Sequence, residues 1–400
     1  MLEGSRRQQA NEHYERGLAL ERAGLVDEAI AEYRRAVDVD PGFAEAYEAL
    51  GHHYQRRGLL VKALDAFRTA ARLQDDYTAY FNLGYVLVEL ENYEEALEAF
   101  QKCLEFIPDD PAALYEIGYI HYARGNFAQA LETLRLPQEA YPEDARVHSL
   151  MGACYLGLHR WAEAEASYRH ALELASSSDE AEEAEAGLLT ALRYQEFPPE
   201  GPWGPKEEAY AEAGVVVLGT SGDDGIRVPL RAPGSLSLEA IAVTLRRLRA
   251  LVRGLGIRLT AIVAIERTSV PVATALERLL HRPRKTLSTL ADTDRPLLVL
   301  ANSQQMALLE VALDQCRGQP QSFVLVLGPY SPDAFLPDWI GVPASGPLTL
   351  PWEGTQAEPD ATAKLVATCM RLRAERNLQT QVAYYAQEHR RLRFLWPPVS

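Results

Sequence analysis

The chain has 400 residues, 47% of them apolar and 24% charged, with a net charge of −16; this is the balance of a folded protein with more than one core. No run approaches the ~18 apolar residues of a membrane span, and the opening MLEGSRRQQANEHYERG lacks the apolar core of a signal peptide, so a cytoplasmic protein is expected. Residues 1–200 carry 37 acidic against 18 basic side chains and the remainder 19 against 22, which sets a boundary near the middle and argues against nucleic acid as a partner of the first half.

In chain order, the first feature is a repeat. Gly17, Gly51, Gly84, Gly118 and Gly152 are spaced by 34, 33, 34 and 34 residues. Twelve residues after each stands an alanine: Ala29, Ala63, Ala96, Ala130 and Ala164. Four further on is a large apolar residue: Tyr33, Phe67, Phe100, Leu134 and Tyr168. Each copy reads as two short amphipathic helices. A helical glycine costs about 1 kcal/mol against alanine, so it implies a helix–helix contact in which the missing side chain lets the partner backbone close in. Pro137 falls where the fourth copy needs a small helical residue, so its second helix is expected to kink or end early. The pattern resembles the tetratricopeptide repeat, and the resemblance implies an all-α superhelix of five helix-turn-helix repeats over residues 1–178.

Ser176-Ser177-Ser178-Asp179 is an N-capping cluster, and 179–196 reads as the polar capping helix that stacked repeats need. Phe197–Pro205, FPPEGPWGP, cannot continue a helix and reads as a Pro/Gly linker. Residues 206–400 then alternate β-branched and helical runs. Strands are expected at Val215–Leu218, Ile226–Leu230, Leu259–Ile265, Pro296–Ala301, Ser322–Leu327 and Leu348–Leu350. Helices are expected at Leu238–Leu255, Val270–His281, Ser303–Arg317, Pro359–Arg376 and Thr380–Arg393. The alternation predicts a three-layer α/β domain with a mostly parallel sheet and right-handed crossovers. The apolar tail FLWPP is expected to dock.

Projecting each first helix at 3.6 residues per turn gives the inward face of the superhelix. It comprises Tyr14 and Leu18; Glu48, His52 and Gln55; Phe81, Tyr85 and Val88; Tyr115, Tyr119 and Tyr122; and Arg146, Ser149 and Ala153. The aromatic stripe offers flat apolar surface with hydroxyl handles for a protein or peptide partner, although some of these rings also suit packing between helices. Family members that clamp a C-terminal carboxylate use lysine, arginine and asparagine on these faces. Here Asn82 is present without its basic partners, which argues against that ligand. His52, His53 and His121 have no metal-ligand spacing. Cys103, Cys154, Cys316 and Cys369 form no C-x-x-C and suit reduced thiols packed as small apolar residues. No metal or cofactor is expected.

In the second half, Gly219–Gly225 precedes a strand rather than a helix and suits a tight turn better than a phosphate cradle. TAIVAIERTSVPVATALERLL and RPLLVLANSQQMALLEVAL look like the two strand–loop–helix units of a type I phosphoribosyltransferase. That resemblance would place ligand contacts at Arg267, Thr268 and Ser269 in one loop and Asn302, Ser303 and Gln304 in the other. The second loop lacks the family's acidic pair and glycine-rich turn, so a degenerate, non-catalytic copy of the fold is expected. The arginines around Arg246-Arg247-Leu248-Arg249 and Arg253, and the run Arg282-Pro-Arg-Lys285, read as solvated faces ahead of a phosphate or acidic-partner site, or as patches complementary to the acidic repeats. The function expected is a non-enzymatic scaffold or adaptor that holds a partner segment in the repeat groove. The alternative is an enzyme or sensor for a nucleotide or ribose phosphate.

Overall fold

The computed structural model describes residues 2–198, 201, 203–316, 318–329, 335–353, 360–373, 375–389 and 391–395. The chain divides into two units between Leu188 and Leu189.

The helical unit consists of antiparallel pairs. They are α1 (Leu2–Arg22) with α2 (Val26–Val39), α3 (Ala44–Arg56) with α4 (Leu60–Leu73), and α5 (Tyr77–Glu89) with α6 (Tyr93–Phe106). The fourth pair is α7 (Pro111–Ala123) with α8 (Phe127–Thr133) and α9 (Arg135–Ala140), and the fifth is α10 (Ala145–Gly157) with α11 (Trp161–Leu174). The helix α12 (Ser178–Tyr194) follows. Each repeat glycine lies against the large residue 16 positions later in its own pair. A Cβ added at Gly51, Gly84, Gly118 or Gly152 would sit 2.6–2.9 Å from carbons of Phe67, Phe100, Leu134 or Tyr168. The space is therefore filled by a partner side chain rather than by partner backbone. At Pro137 the missing N–H removes one helical bond, and the second helix of the fourth pair breaks at Leu134 into α8 and α9. Aspartates start the later first helices: Asp76 accepts from the Ala79 N–H at 2.9 Å and Asp110 from the Ala113 N–H at 2.8 Å. The Tyr77 hydroxyl donates to Asp110 at 2.7 Å, so one repeat braces the cap of the next. Gly187 of α12 sits against the other side of the Tyr168 ring, carrying the glycine contact one step beyond the fifth repeat.

The sheet unit has helices α13 (Pro205–Ala213), α14 (Leu238–Gly254), α15 (Val270–Leu280), α16 (Met306–Asp314), α17 (Ala361–Arg371) and α18 (Leu378–Ala383). Its strands are β1 (Val216–Val217), β2 (Gly234–Ser235), β3 (Ala261–Ala264), β4 (Pro296–Asn302), β5 (Gln321–Leu327), β6 (Trp339–Pro343) and β7 (Leu348–Thr349). Five of them form a parallel sheet in the order β1-β6-β5-β4-β3, and β2 pairs separately with β7. The strands of the five-stranded sheet are largely apolar because alternate residues enter different cores. Leu297, Val299 and Ala301 join α14, α15 and α17, whereas Leu298 and Leu300 join Leu309 and Ala312 of α16.

Several expectations are corrected here. Ile226–Leu230 is not a strand, so Gly219–Gly225 is not a hairpin turn: the neighbour of β1 is β6, which the sequence reading missed. The crossovers are not all of one hand. The connection through α14 crosses the whole sheet from β1 to β3, and the one through α15 steps back from β3 to β4. Both helices pack on the same face, so these two connections have opposite hands. The last long helix is short: α18 ends at Ala383 and a wider turn, Tyr384–Glu388, follows.

Arg247 does not lie on a solvated face. It is fully buried, donating to Asp223 at 2.6 Å, to the Leu218 carbonyl at 2.8 Å and to Glu375 at 2.6 and 2.9 Å. Phe197 stacks on His389 with ring centroids 4.6 Å apart, and Trp203 on Tyr194 at 5.2 Å. Phe394 of the tail stacks on Trp339 at 5.0 Å. Of the segments assigned from sequence, Pro199, Glu200 and Pro202 of the linker, Arg317, Pro359, Ala374 and Arg390 at or within helices, and Trp396–Pro398 of the tail lie outside the described residues.

Candidate functional site

The inward residues of the first helices separate into two groups. Tyr14 packs against Tyr33 and Phe43 with centroids 5.6 and 5.3 Å apart, Phe81 against Phe100 at 5.5 Å, and Tyr122 against Phe127 at 5.9 Å. These rings work as core. His52 keeps an exposed edge but meets Phe67 edge-on at 5.0 Å. Tyr85 and Tyr119 differ: they are 44% and 37% exposed. They occupy the same repeat position, 34 residues apart on adjacent first helices. Tyr115 is partly buried and lies under the Arg146 guanidinium, 5.7 Å from its ring centre.

The electrostatics of this face are set by residues that the projection undervalued. Burial raises the carboxyl of Glu116 to about 7, with Arg146 partly opposing the shift. Glu116 and Arg146 both act on the Tyr85 hydroxyl, as do Glu89 and Tyr119, which places these groups around one patch. Arg146 itself is held by Asp144 at 2.9 Å. Glu48 has one carboxylate oxygen buried with no hydrogen-bond partner among the described residues, and its carboxyl is raised by burial and by Asp76 and Glu45. A cleft of about 600 Å³ beside Arg146 is bounded by Tyr141, Asp144, Leu174 and Glu180. The signal for Glu116 was present in the sequence, since it stands 34 residues after Asn82 and takes the same place in its repeat.

The sheet unit's loops present a different picture. Ser269 brings the two expected ligand loops together, its hydroxyl accepting from the Ala301 N–H at 2.8 Å and donating to Glu266 at 2.6 Å. Glu266 also takes the Thr268 N–H at 2.6 Å, and Trp352 donates to the Thr268 carbonyl at 2.9 Å. Asn302 accepts from the Gln304 N–H at 3.0 Å, and Ser303 from the Gly328 N–H at 2.9 Å. Arg267 and Gln304 face solvent. The N–H groups an anion would seek therefore already bind side-chain oxygens, one of them a carboxylate. Asp223 likewise accepts the N–H groups of Thr220 and Gly225 within the glycine-rich loop, at 2.7 and 2.8 Å. That loop borders a cleft of about 1040 Å³ with Phe197, Trp203, Asp224 and Arg227.

Burial pushes the thiols of Cys103, Cys154 and Cys369 up to about 12, which fits reduced packing residues. Among the described residues no three or more His, Cys, Asp and Glu side chains group in a way that could hold a metal, and no helix is long and apolar enough to cross a membrane.

Residues 87–154 and 42–109 match family models described as tetratricopeptide repeat, and residues 17–58 one described as TPR repeat. The N-terminal half thus carries tetratricopeptide repeats, whose proteins in general bind protein or peptide partners. A TPR repeat-containing protein of Schizosaccharomyces pombe is 34% identical over 62 residues, which is 15% of this chain and 8% of that protein. The cell division cycle protein 27 homolog of Caenorhabditis elegans is 38% identical over 82 residues, 20% of this chain and 10% of the relative. This chain therefore spans a tenth or less of these curated relatives. The crystal structure of YrrB, described as a TPR protein with an unusual peptide-binding site, is similar at 24% identity and a TM-score of 0.39, over 43% of this chain and 90% of its own. The phosphoribosyltransferase resemblance of residues 206–400 falls outside the family-model matches.

Proposed function

We propose that the chain is a non-enzymatic adaptor whose repeat groove holds an extended or helical segment of a partner protein. The observation that carries this reading is the pair Tyr85 and Tyr119, two large rings left uncovered at equivalent positions on neighbouring helices. Neighbouring rings at these levels pack as core, so solvent exposure of this pair has no role in the fold. For residues 206–400 we infer an α/β domain with helices on both sheet faces and no catalysis of its own. Support comes from the candidate loops, whose donors and acceptors are engaged with one another through Glu266, Ser269 and Ser303.

The test is a twelve-residue peptide library panned on the immobilised full-length protein, with the selected peptides measured by calorimetry. Tyr85→Ala with Tyr119→Ala should weaken them about tenfold or more, as expected for aromatic anchors, with the circular dichroism spectrum unchanged. Equal binding by the double variant would place the partner surface elsewhere.

A further inference from the structure

Two carboxylates face this groove without a counter-ion bonded to them. Glu116 is partly buried and makes no hydrogen bond or ion pair with any described residue; Arg146 acts on it only at a distance, being itself paired with Asp144. Glu48, two repeats earlier, has a buried oxygen with no partner among the described residues. Burying a carboxylate without a donor is costly, and a ligand that brings a cation to it relieves that cost on binding. Tyr85 and Tyr119 lie beside Glu116, so the place open to a ligand combines aromatic surface with an unpaired negative group. Flat rings attract cations through their faces, and a lysine or arginine stem covers apolar surface while its head reaches a carboxylate. The surrounding field has the same sign, since residues 1–200 carry 37 acidic and 18 basic side chains.

We propose that the groove recognises a basic segment, in which a lysine or arginine lies over Tyr85 and Tyr119 and pairs with Glu116. This rests on the groove reading above and names the chemistry of its occupant. The resident arginine does not exclude it, because Arg146 stays on Asp144 and leaves the Glu116 oxygens open. A cation favours the ionised carboxylate, so binding releases a proton from Glu116 and strengthens as pH rises. The other charged and titratable groups facing this patch are Glu89 and Tyr85 on α5, Tyr115 and Tyr119 on α7, Asp144 and Arg146 by α10, and Glu183 on α12. Of the carboxylates among them, Glu116 is the one raised to about 7.

The probe is an acetylated, amidated nonapeptide alternating lysine with leucine, beside its glutamate-for-lysine counterpart, titrated into the full chain by calorimetry from pH 6 to pH 8. The lysine peptide should bind, the glutamate peptide should not, and affinity should rise about tenfold across that range, the limit for one proton lost from a carboxyl raised to about 7. Glu116→Gln should weaken the lysine peptide about tenfold and flatten the pH dependence. Glu139→Gln, an equal charge change at an exposed site, should do neither. Equal losses in Glu116→Gln and Glu139→Gln would reduce the effect to diffuse charge and overturn the proposal. So would an unaltered pH profile in Glu116→Gln. If the display-selected peptides still depend on Tyr85 and Tyr119 in that case, the groove survives and only its cation chemistry falls. If they depend on neither, both readings fall.

Discussion

In the helical unit, the contacts that hold each pair join residues 16 apart, Gly84 with Phe100 or Gly152 with Tyr168. In the sheet unit, the central polar contact joins Arg247 to Asp223 and Glu375, 24 and 128 residues away. The first arrangement repeats, and the cores it builds link each pair to the next, Phe100 of α6 sharing one with Ala113 and Ile117 of α7. The second is built once and draws in the loops at the strand ends, where Asp223, Glu266 and Ser303 serve the fold. Repeated local packing leaves Tyr85 and Tyr119 exposed at equivalent positions, and this is where a partner surface is to be sought.

The largest break in this comparison should come from Arg247→Met. It leaves Asp223 and Glu375 without their common cation in a buried site, at a cost of about 3–5 kcal/mol. Hydrogen exchange read by peptide should show faster exchange across β1, β6 and α14, with α5–α7 unchanged. Uniform loss across both units would mean that they unfold as one.

Lys206 gives a pH-dependent version of the same test. The residue is 1% exposed, and its ammonium donates to the Gly225 carbonyl at 2.6 Å and lies 4.1 Å from the Tyr384 ring centre. Burial lowers it to about 7, against about 10.4 in an unfolded chain. Between those values the unfolded state binds the additional proton, so this residue's contribution to stability should rise with pH from about 7 to about 10. The gain between pH 6.5 and pH 9.5 should be about 2–4 kcal/mol, taken as the difference between wild type and Lys206→Met in denaturant titrations. A constant difference would show that the carbonyl and rings keep the ammonium charged in the fold.

What could be read from the sequence follows the same division. A local contact repeated five times leaves a period, and the glycine, alanine and aromatic positions of the repeats carried it openly, as did the break at Pro137. The strand β6, Trp-Ile-Gly-Val-Pro, gave no periodic sign, being short, proline-ended and organised by neighbours distant in sequence. Gly341 lies within it against the Leu325 backbone of β5, a close approach that only the assembled sheet reveals. Ile226–Leu230 had strand composition, yet Asp224 binds the N–H groups of Ile226 and Arg227 at 2.8 and 2.7 Å. Arg247 looked like a surface charge because its partners are far off in the chain. At the groove, helical projection found the tyrosines but could not rank them, since exposure depends on which second-helix ring fills the space beneath. It also passed over Glu116, whose partial burial the helical period alone does not show.

A smaller effect is expected from Gly84→Ala. The added methyl meets Phe100 ring carbons at 2.8–3.0 Å. Overpacking of this kind costs about 1–3 kcal/mol, less about 1 kcal/mol returned by helix propensity. Exchange should quicken in α5 and α6 and fade within one repeat on either side. Spread to α1 or α11 would show that the repeats are more tightly coupled than nearest-neighbour stacking allows.

The smallest change in stability should come from the two tyrosines proposed as anchors for a partner. Tyr85 and Tyr119 are 44% and 37% exposed, and neither ring stacks on a second-helix ring of its own pair among the described residues. Truncating either to alanine should cost about 0.5 kcal/mol or less, the range of surface substitutions. Phe81→Ala, four residues before Tyr85 on the same helix, removes a ring packed on Phe100 and Tyr77 and should cost about 3 kcal/mol. Thermal melts of the three variants decide the matter alongside peptide affinities. If Tyr85→Ala and Tyr119→Ala melt like wild type and lose the selected peptides, while Phe81→Ala melts early, fold and function occupy different rings of one helix face. If the tyrosine variants melt as early as Phe81→Ala, their exposed edges belong to the core and the groove loses its anchors.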